Sequence, residues 1–166
     1  LAIVDEVLPK VKNDEVKKIY CMNVINFAGE TGDTERMNAS IDKFMKGEPE
    51  FWDYRRIMML LEKNKDWPKL KEVAELSIAK VTDKNLLDFF GGMSKKSRAE
   101  LEDRLMCEYK TFLARGLSHT NKANEAMKIA EEAGKISPKL YTGTCANNAD
   151  LAYAEALFTP VRRKKR

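Results

Sequence analysis

The chain has 166 residues, of which 43% are hydrophobic and 34% are charged, and its formal net charge is +4. This composition is too apolar for intrinsic disorder, and no apolar run reaches the ~20 residues that a membrane-spanning helix requires. It predicts a soluble globular protein whose core is large enough to fold alone.

The positive charge is concentrated in the last five residues, 162–166, which read RRKKR. Without them, 25 basic residues stand against 26 acidic ones. A basic surface over the whole protein is therefore excluded, whereas a local contact between this tail and an anion is not. Because the sequence begins at Leu1 rather than Met, we expect a processed form or a piece of a longer protein, with any targeting segment upstream.

The first half of the sequence predicts five helices in chain order. A short one over Ala2–Val7 precedes Pro9, and the next runs over Asp14–Glu30. Spacings of three and four predict that one face of this second helix points inward. Its members are Val16, Ile19, Tyr20, Val24 and Phe27. Thr34 is placed to cap a helix that ends near Gly47, and further helices follow from Phe51 and after Asp66.

The second half predicts a short helix at "NLLDFF", a loop at "GGMSKKS", and three longer helices. Ser97 and Glu100 have the spacing of a capping box at the start of the first of these. The second lies within Asn121–Tyr141, and the last spans about Asn148–Phe158. No segment alternates with the period of a β-strand, so the sequence predicts an all-α protein of antiparallel helix pairs.

Turns and prolines recur at a regular interval along the helix pairs. Pro49 follows the turn at Gly32 by 17 residues, and Pro138 follows the turn at Asn121 by 17. The turn at Lys65 lies 33 residues after Gly32. This layout resembles the tetratricopeptide family, whose helix–turn–helix unit has about 34 residues. In that family, small residues occupy the positions in the second helix that correspond here to Ala126 and Ala133.

Two stretches, "NEAMKIAEEAGKISPKLY" and "RMNASIDKFMKGEPEFWDY", also resemble the second helix of pentatricopeptide units. The resemblance covers about residues 16–85 and 107–141. It implies a short α-solenoid of stacked helix–turn–helix repeats over residues 1–160, with a basic tail at 161–166. The implied units are about 18–50, 51–84 and 107–140, with an insertion over about 86–106. A non-repeating helical bundle is the alternative.

The sequence contains no recognisable catalytic constellation. Its one histidine, His119, has neither a second histidine nor a cysteine near it, and no glycine-rich nucleotide-binding motif is present. The three cysteines, Cys21, Cys107 and Cys145, lack metal-ligand spacing, which favours buried thiols in a reducing compartment. We therefore expect no enzymatic activity, no cofactor and no bound metal.

The resemblance implies that the first helix of each unit lines a concave binding surface. The residues expected there are Met22, Asn26, Trp52, Arg55, Met59, Thr111, Arg115 and His119. Arginine and tryptophan suit phosphate contacts and base stacking, although the same set suits a peptide groove. The positions by which pentatricopeptide units read bases correspond to Met22 with Glu50 and Thr111 with Lys139, which are poor pairs for base reading. Contacts to the RNA backbone or shape are therefore expected.

The tail, Arg162, Arg163, Lys164, Lys165 and Arg166, fits three interpretations: a solvated end, a nuclear-import signal, or a contact with RNA phosphate. By resemblance, the chain is expected to be a non-catalytic RNA-binding component of an organellar ribonucleoprotein such as the mitochondrial ribosome. The alternative is a scaffold that binds a partner peptide or helix. The compartment would then be mitochondrial, or otherwise cytoplasmic or nuclear, and no membrane contact is expected.

If Ala126 faces a partner helix at close approach, Ala126→Leu overpacks the contact. We expect a loss of about 1–3 kcal/mol in the free energy of unfolding. Thermal denaturation measures this change, and an unaltered melting curve would show that this helix face is exposed.

Overall fold

The structure is a computed structural model that describes residues 10–47, 49–136 and 144–158. Within these residues the regular secondary structure consists of α-helices and includes no strand, which confirms the predicted all-α class. The eight helices are α1 (Asp14–Thr31), α2 (Thr34–Met45), α3 (Phe51–Lys63), α4 (Trp67–Lys80), α5 (Asp83–Phe89), α6 (Lys95–Ser118), α7 (Ala123–Ile136) and α8 (Thr144–Phe158). The helix predicted at Ala2–Val7 and the marker Pro138 lie outside the described residues.

The chain, predicted as one domain over residues 1–160, divides into two compact units, Leu1–Asp66 and Trp67–Arg166. In the first unit, α1 packs against α2 and α3. In the second, α6 contacts α4, α5, α7 and α8 and is the central helix. Among the described residues, no helix combines the length and the apolar character needed to cross a bilayer.

Three turns share one backbone geometry, and they are the turns that mark the sequence interval. Gly32, Lys65 and Asn121 all adopt positive φ angles, of 75°, 57° and 63°. In each turn the next N–H donates to the carbonyl five residues earlier: Asp33 to Ala28 at 2.9 Å, Asp66 to Leu61 at 3.0 Å, and Lys122 to Leu117 at 3.1 Å. This bond satisfies a carbonyl that the end of the helix would leave without a partner.

The inward face predicted for α1 is wrong, because only Val24 of its five members is buried. The core face instead carries Met22, Ile25, Ala28 and Gly29. A Cβ added at Gly29 would lie 3.1 Å from Met37 Sδ of α2 and 3.5 Å from a Leu60 methyl of α3. Small residues on this face let both helices approach α1 closely, whereas the bulkier face would hold them apart.

Small side chains also line the contacts of α6 in the second unit. Its buried residues include Cys107, Thr111, Ala114 and Ser118, which recur at helical spacing. Cys107 packs against Ala133 of α7, and Ala114 packs with Ala130 of α7 and Ala152 of α8. The predicted burial of Ala126 and Ala133 is confirmed, since both are fully buried.

Gly116 lies at a close contact between α6 and α4. A Cβ at this position would lie 2.9 Å from the backbone nitrogen of Lys71 and 3.1 Å from its Cα. Real Cβ atoms essentially never come this close to another heavy atom, and backbone atoms of a packed helix cannot rotate away as a flexible side chain can. The position therefore requires glycine, and it fixes the distance between α4 and α6.

The start of α6 differs from the predicted one, because Ser94 and not Ser97 is the N-cap. The backbone N–H of Ser97 donates to Ser94 Oγ at 3.1 Å. The Glu100 side chain pairs with Lys96 instead, and its Oε1 lies 4.0 Å from Lys96 Nζ. Likewise Asp33, rather than Thr34, caps α2 by accepting from the N–H of Arg36 at 3.1 Å. In both cases the residue that caps the helix lies earlier in the chain than predicted. Capping preference alone does not distinguish between two suitable residues that lie close together in the sequence.

Two glycine substitutions are expected to change stability in opposite directions. Gly116→Ala forces α4 away from α6, and we expect it to lower the free energy of unfolding by about 1–3 kcal/mol. Gly134→Ala is the matched control, because it also lies in a helix but a Cβ there meets nothing within 4 Å. It should gain up to about 1 kcal/mol from helix propensity. Chemical denaturation of both variants checks the signs, and a tolerated Gly116→Ala would contradict the close packing.

An ion pair joins α6 to α7, and it predicts a pH dependence of stability. Lys110 Nζ donates to Glu132 Oε2 at 2.7 Å. This hydrogen bond is the main reason that the pKa of Glu132 lies below its usual value of 4.5. A carboxylate whose pKa falls on folding stabilises the protein above its unfolded pKa, and this contribution is lost as the pH falls through the folded pKa.

Glu132→Gln should therefore melt below the wild type at neutral pH, and the difference should disappear as the pH falls below 4.5. Since 36% of the Glu132 side chain is exposed, solvent screening limits the effect to less than about 1 kcal/mol. Melting temperatures measured from pH 7 down to about 3 test this. Glu131→Gln, at the exposed neighbouring position, controls for the loss of one negative charge from α7. A difference that grows toward low pH would contradict the assignment.

Candidate nucleic-acid interface

The outer face of α3 brings an exposed tryptophan together with several cations. Tyr54, Ile57, Met58 and Leu61 bury one side of this helix, which turns the opposite side to solvent. That side, here called the α3 face, consists of Trp52, Arg55, Arg56, Met59 and Lys63, all of them exposed. Half of the surface of Trp52 and 49% of that of Met59 are accessible. An aromatic ring beside guanidinium groups can stack on a base while the cations contact phosphate.

Arg56 and Lys63 were not among the candidates from the sequence, although a signal for them exists. They follow Trp52 at intervals of four and eleven residues, and residues at these intervals lie on the same side of an α-helix. The helical periodicity that buries Tyr54, Ile57 and Leu61 also places these two cations on the opposite side of the helix. The α3 face thus carries three cations rather than the one predicted.

The first turn of α3 is fixed by a carboxylate that also contacts α1. Asp53 Oδ2 accepts a hydrogen bond from the backbone N–H of Glu50 at 2.9 Å. The same oxygen lies 3.0 Å from Nζ of Lys18, which is also 3.2 Å from Glu50 Oε1. Burial lowers the pKa of Lys18, but the hydrogen bonds and charges of Asp53 and Glu50 outweigh it and raise this pKa overall. Lys18 is therefore a structural cation, already engaged by two carboxylates.

A groove of about 310 Å³ lies between α1 and α3 beside this ion pair. Its lining residues are Glu15, Lys18, Ile19, Met22, Asn23, Glu50, Asp53 and Arg56. Three carboxylates there exceed two cations, so the groove carries a slight negative charge that disfavours phosphate. An anionic backbone is better placed along the α3 face, and Arg56 belongs to both surfaces.

Two residues predicted to line the concave surface are buried, so their predicted exposure is wrong. Met22 is 5% exposed and belongs to the core face of α1. Thr111 is 4% exposed, and its hydroxyl donates to the carbonyl of Cys107 at 2.8 Å. Both positions were assigned by alignment with the repeat pattern, and the close packing of their helices places them inside. Asn26 is half-buried, so it is neither part of the core nor fully exposed on the predicted surface.

The two candidates in the second unit are engaged by their neighbours. Only 13% of the Arg115 side chain is exposed, and its Nε lies 3.4 Å from Glu155 Oε2 of α8. Arg115 is therefore less accessible to phosphate than predicted. His119 is exposed at the end of α6, and its ring stacks on Trp67 with centroids 4.0 Å apart and planes 13° apart. It therefore contributes to the packing of its own unit rather than standing free in solvent.

Cys21 is the half-buried thiol of the first unit, and its surroundings do not activate it. It lies in a cleft of about 460 Å³ whose lining also includes Lys17, Lys43 and Phe44. Burial raises the pKa of the Cys21 thiol, against the opposing charge of Lys43. A thiol with a raised pKa is largely protonated at neutral pH and is a weak nucleophile. Within the described residues, no group of three His, Cys, Asp or Glu side chains could hold a metal ion.

Outside the described residues lie the five candidates of the tail, Arg162, Arg163, Lys164, Lys165 and Arg166, together with Pro138 and Lys139. Comparison with known proteins adds no assignment: the chain matches no protein-family model, no curated protein and no solved structure. The candidate site therefore rests on the geometry of the described residues.

Proposed function

We propose that the chain is a non-catalytic helical-repeat protein, of the pentatricopeptide/tetratricopeptide type, that binds single-stranded RNA. The observation that carries the proposal is the α3 face, where the half-exposed Trp52 lies among Arg55, Arg56 and Lys63. Base–aromatic stacking contributes about 1–3 kcal/mol per base, and neighbouring cations neutralise the phosphates on either side. A mitochondrial ribonucleoprotein, such as the ribosome, is the proposed setting.

The shared turn geometry supports the repeat part of the proposal. Gly32, Lys65 and Asn121 occupy corresponding places in three turns, with the same left-handed backbone and the same closing hydrogen bond. Such a turn is a common way for helices to end, and its recurrence at the three sequence markers is compatible with stacked helix–turn–helix units.

The proposed contacts are to the RNA backbone and to stacked bases rather than to base edges. Met22, which corresponds to a base-reading position in the resemblance, is buried and cannot reach a base. The α3 face offers cations and one aromatic ring, which distinguish single from double strands but not one base from another.

The test measures the affinity of a fluorescently labelled oligouridine of about 12 nucleotides, a length suited to a single-strand site. Trp52→Ala should weaken binding about tenfold by removing one stacked base. Replacing Arg55 and Arg56 by alanine should flatten the slope of log affinity against log salt by ~0.7 per lost phosphate contact. Arg104→Ala is the matched control, because Arg104 is exposed on α6 and belongs to the second unit rather than to the α3 face.

Replacing residues 162–166 by alanine tests the tail separately. A flatter salt slope supports a phosphate contact, whereas unchanged RNA affinity with loss of nuclear entry identifies an import signal. Absence of RNA binding by the intact protein at low salt would overturn the proposal and leave the scaffold as the better function. An equal effect of Arg104→Ala and the α3-face variants would show that binding is only non-specific attraction.

A further inference from the structure

The solvent side of α1 carries a row of large apolar residues that the described part of the chain leaves uncovered. Val16, Ile19, Tyr20 and Phe27, here called the α1 stripe, are 37%, 61%, 39% and 50% exposed. They lie opposite the buried face of the same helix and span about three turns, or ~17 Å. Single exposed apolar residues are common on protein surfaces, but a contiguous row is typical of an interaction site.

The size of the α1 stripe suits a narrow contact in which one helix lies along another. Large side chains have areas of ~150–250 Å², so the exposed fractions amount to roughly 300–400 Å². A helix laid lengthwise along α1 would cover this row with apolar residues on successive turns. A second copy that laid its own α1 antiparallel would bury a similar area but would bring Glu15 of one copy toward Glu30 of the other, and these like charges repel.

The charges around the α1 stripe indicate the chemistry of that helix. Glu15 and Glu30 are both exposed near the two ends of the stripe, and helical spacing places both on one side of it. On the opposite edge the cation Lys17 is paired with Asp14 at 2.9 Å. Asn23, also exposed, interrupts the apolar row near its middle. An acidic edge repels RNA phosphate and anionic lipid alike, and it attracts a basic protein segment.

We propose that the α1 stripe docks an amphipathic helix of a partner protein. That helix has apolar residues at intervals of three, four and seven, an uncharged polar residue opposite Asn23, and Lys or Arg facing Glu15 and Glu30. The docking site uses α1 and is separate from the α3 face, so it does not depend on RNA binding. It would hold the protein in an assembly while the α3 face contacts RNA.

The test uses two labelled helical peptides of about 18 residues, long enough to span the α1 stripe. Both carry leucines at the stated intervals, and one has lysines along one edge where the other has glutamates. Fluorescence anisotropy should show saturable binding of the lysine peptide, at least about tenfold tighter than the glutamate peptide. The double variant Glu15→Lys, Glu30→Lys should reverse this preference.

Ile19→Ser with Phe27→Ser should weaken binding of the lysine peptide at least tenfold, because apolar contacts on two turns are lost. Leu76→Ser is the matched control, since Leu76 is 45% exposed on α4 and lies outside the stripe. RNA affinity should stay unchanged in the stripe variants and fall in Trp52→Ala, so the two proposals fail separately.

The docking site would be overturned if the lysine peptide showed no saturable binding, or if the stripe variants bound it as tightly as the wild type. Sedimentation of the wild type as a dimer that Phe27→Ser dissociates would identify a second copy as the occupant instead. A melting temperature lowered by several degrees in Phe27→Ser would mean that the chain itself covers the stripe. Circular dichroism of each variant establishes that its helices are intact.

Discussion

The second unit depends on close contacts between helix backbones that only small side chains permit. Gly116 sets the distance between α6 and α4, and Ala114 and Ala133 lie in the contacts of α6 and α7 with their neighbours. When helices approach this closely, their main-chain atoms make many van der Waals contacts, and little space remains for adjustment. The surface follows from this packing, because it places Thr111 inside and holds Arg115 beside Glu155.

The first unit distributes its charges so that only some are available to a ligand. Lys18 is engaged by two carboxylates at the start of α3, and the groove beside it is slightly acidic. Of the cations of the α3 face, Arg56 also lines that groove, whereas Arg55 and Lys63 do not. The α1 stripe is edged by glutamates. One unit thus presents surfaces of different chemistry, as the proposed RNA and protein contacts require.

The sequence predicted the helices more accurately than it predicted their faces. Glycine, proline and capping residues punctuate the chain, so α1 was placed to within about a residue and α3 at its observed start. The predicted orientation of α1 is wrong because two faces of this helix carry apolar residues at helical spacing, and several large ones lie on the exposed face. Ala28 and Gly29 decide the matter, since burying them lets two helices approach. Which face of α1 is buried therefore depends on helices that are distant in the sequence, and periodicity within one helix cannot identify them.

The left-handed turns have a consequence for how the chain can change over time. Gly32 adopts its positive φ without strain, whereas Lys65 and Asn121 hold a side chain in a conformation that costs ordinary residues about 1–2 kcal/mol. Asparagine tolerates this conformation better than lysine, so Lys65 carries the larger penalty. Single substitutions to glycine could relieve strain at either turn without touching a buried residue. The two turns therefore offer substitutions that could compensate for destabilising changes elsewhere in the chain.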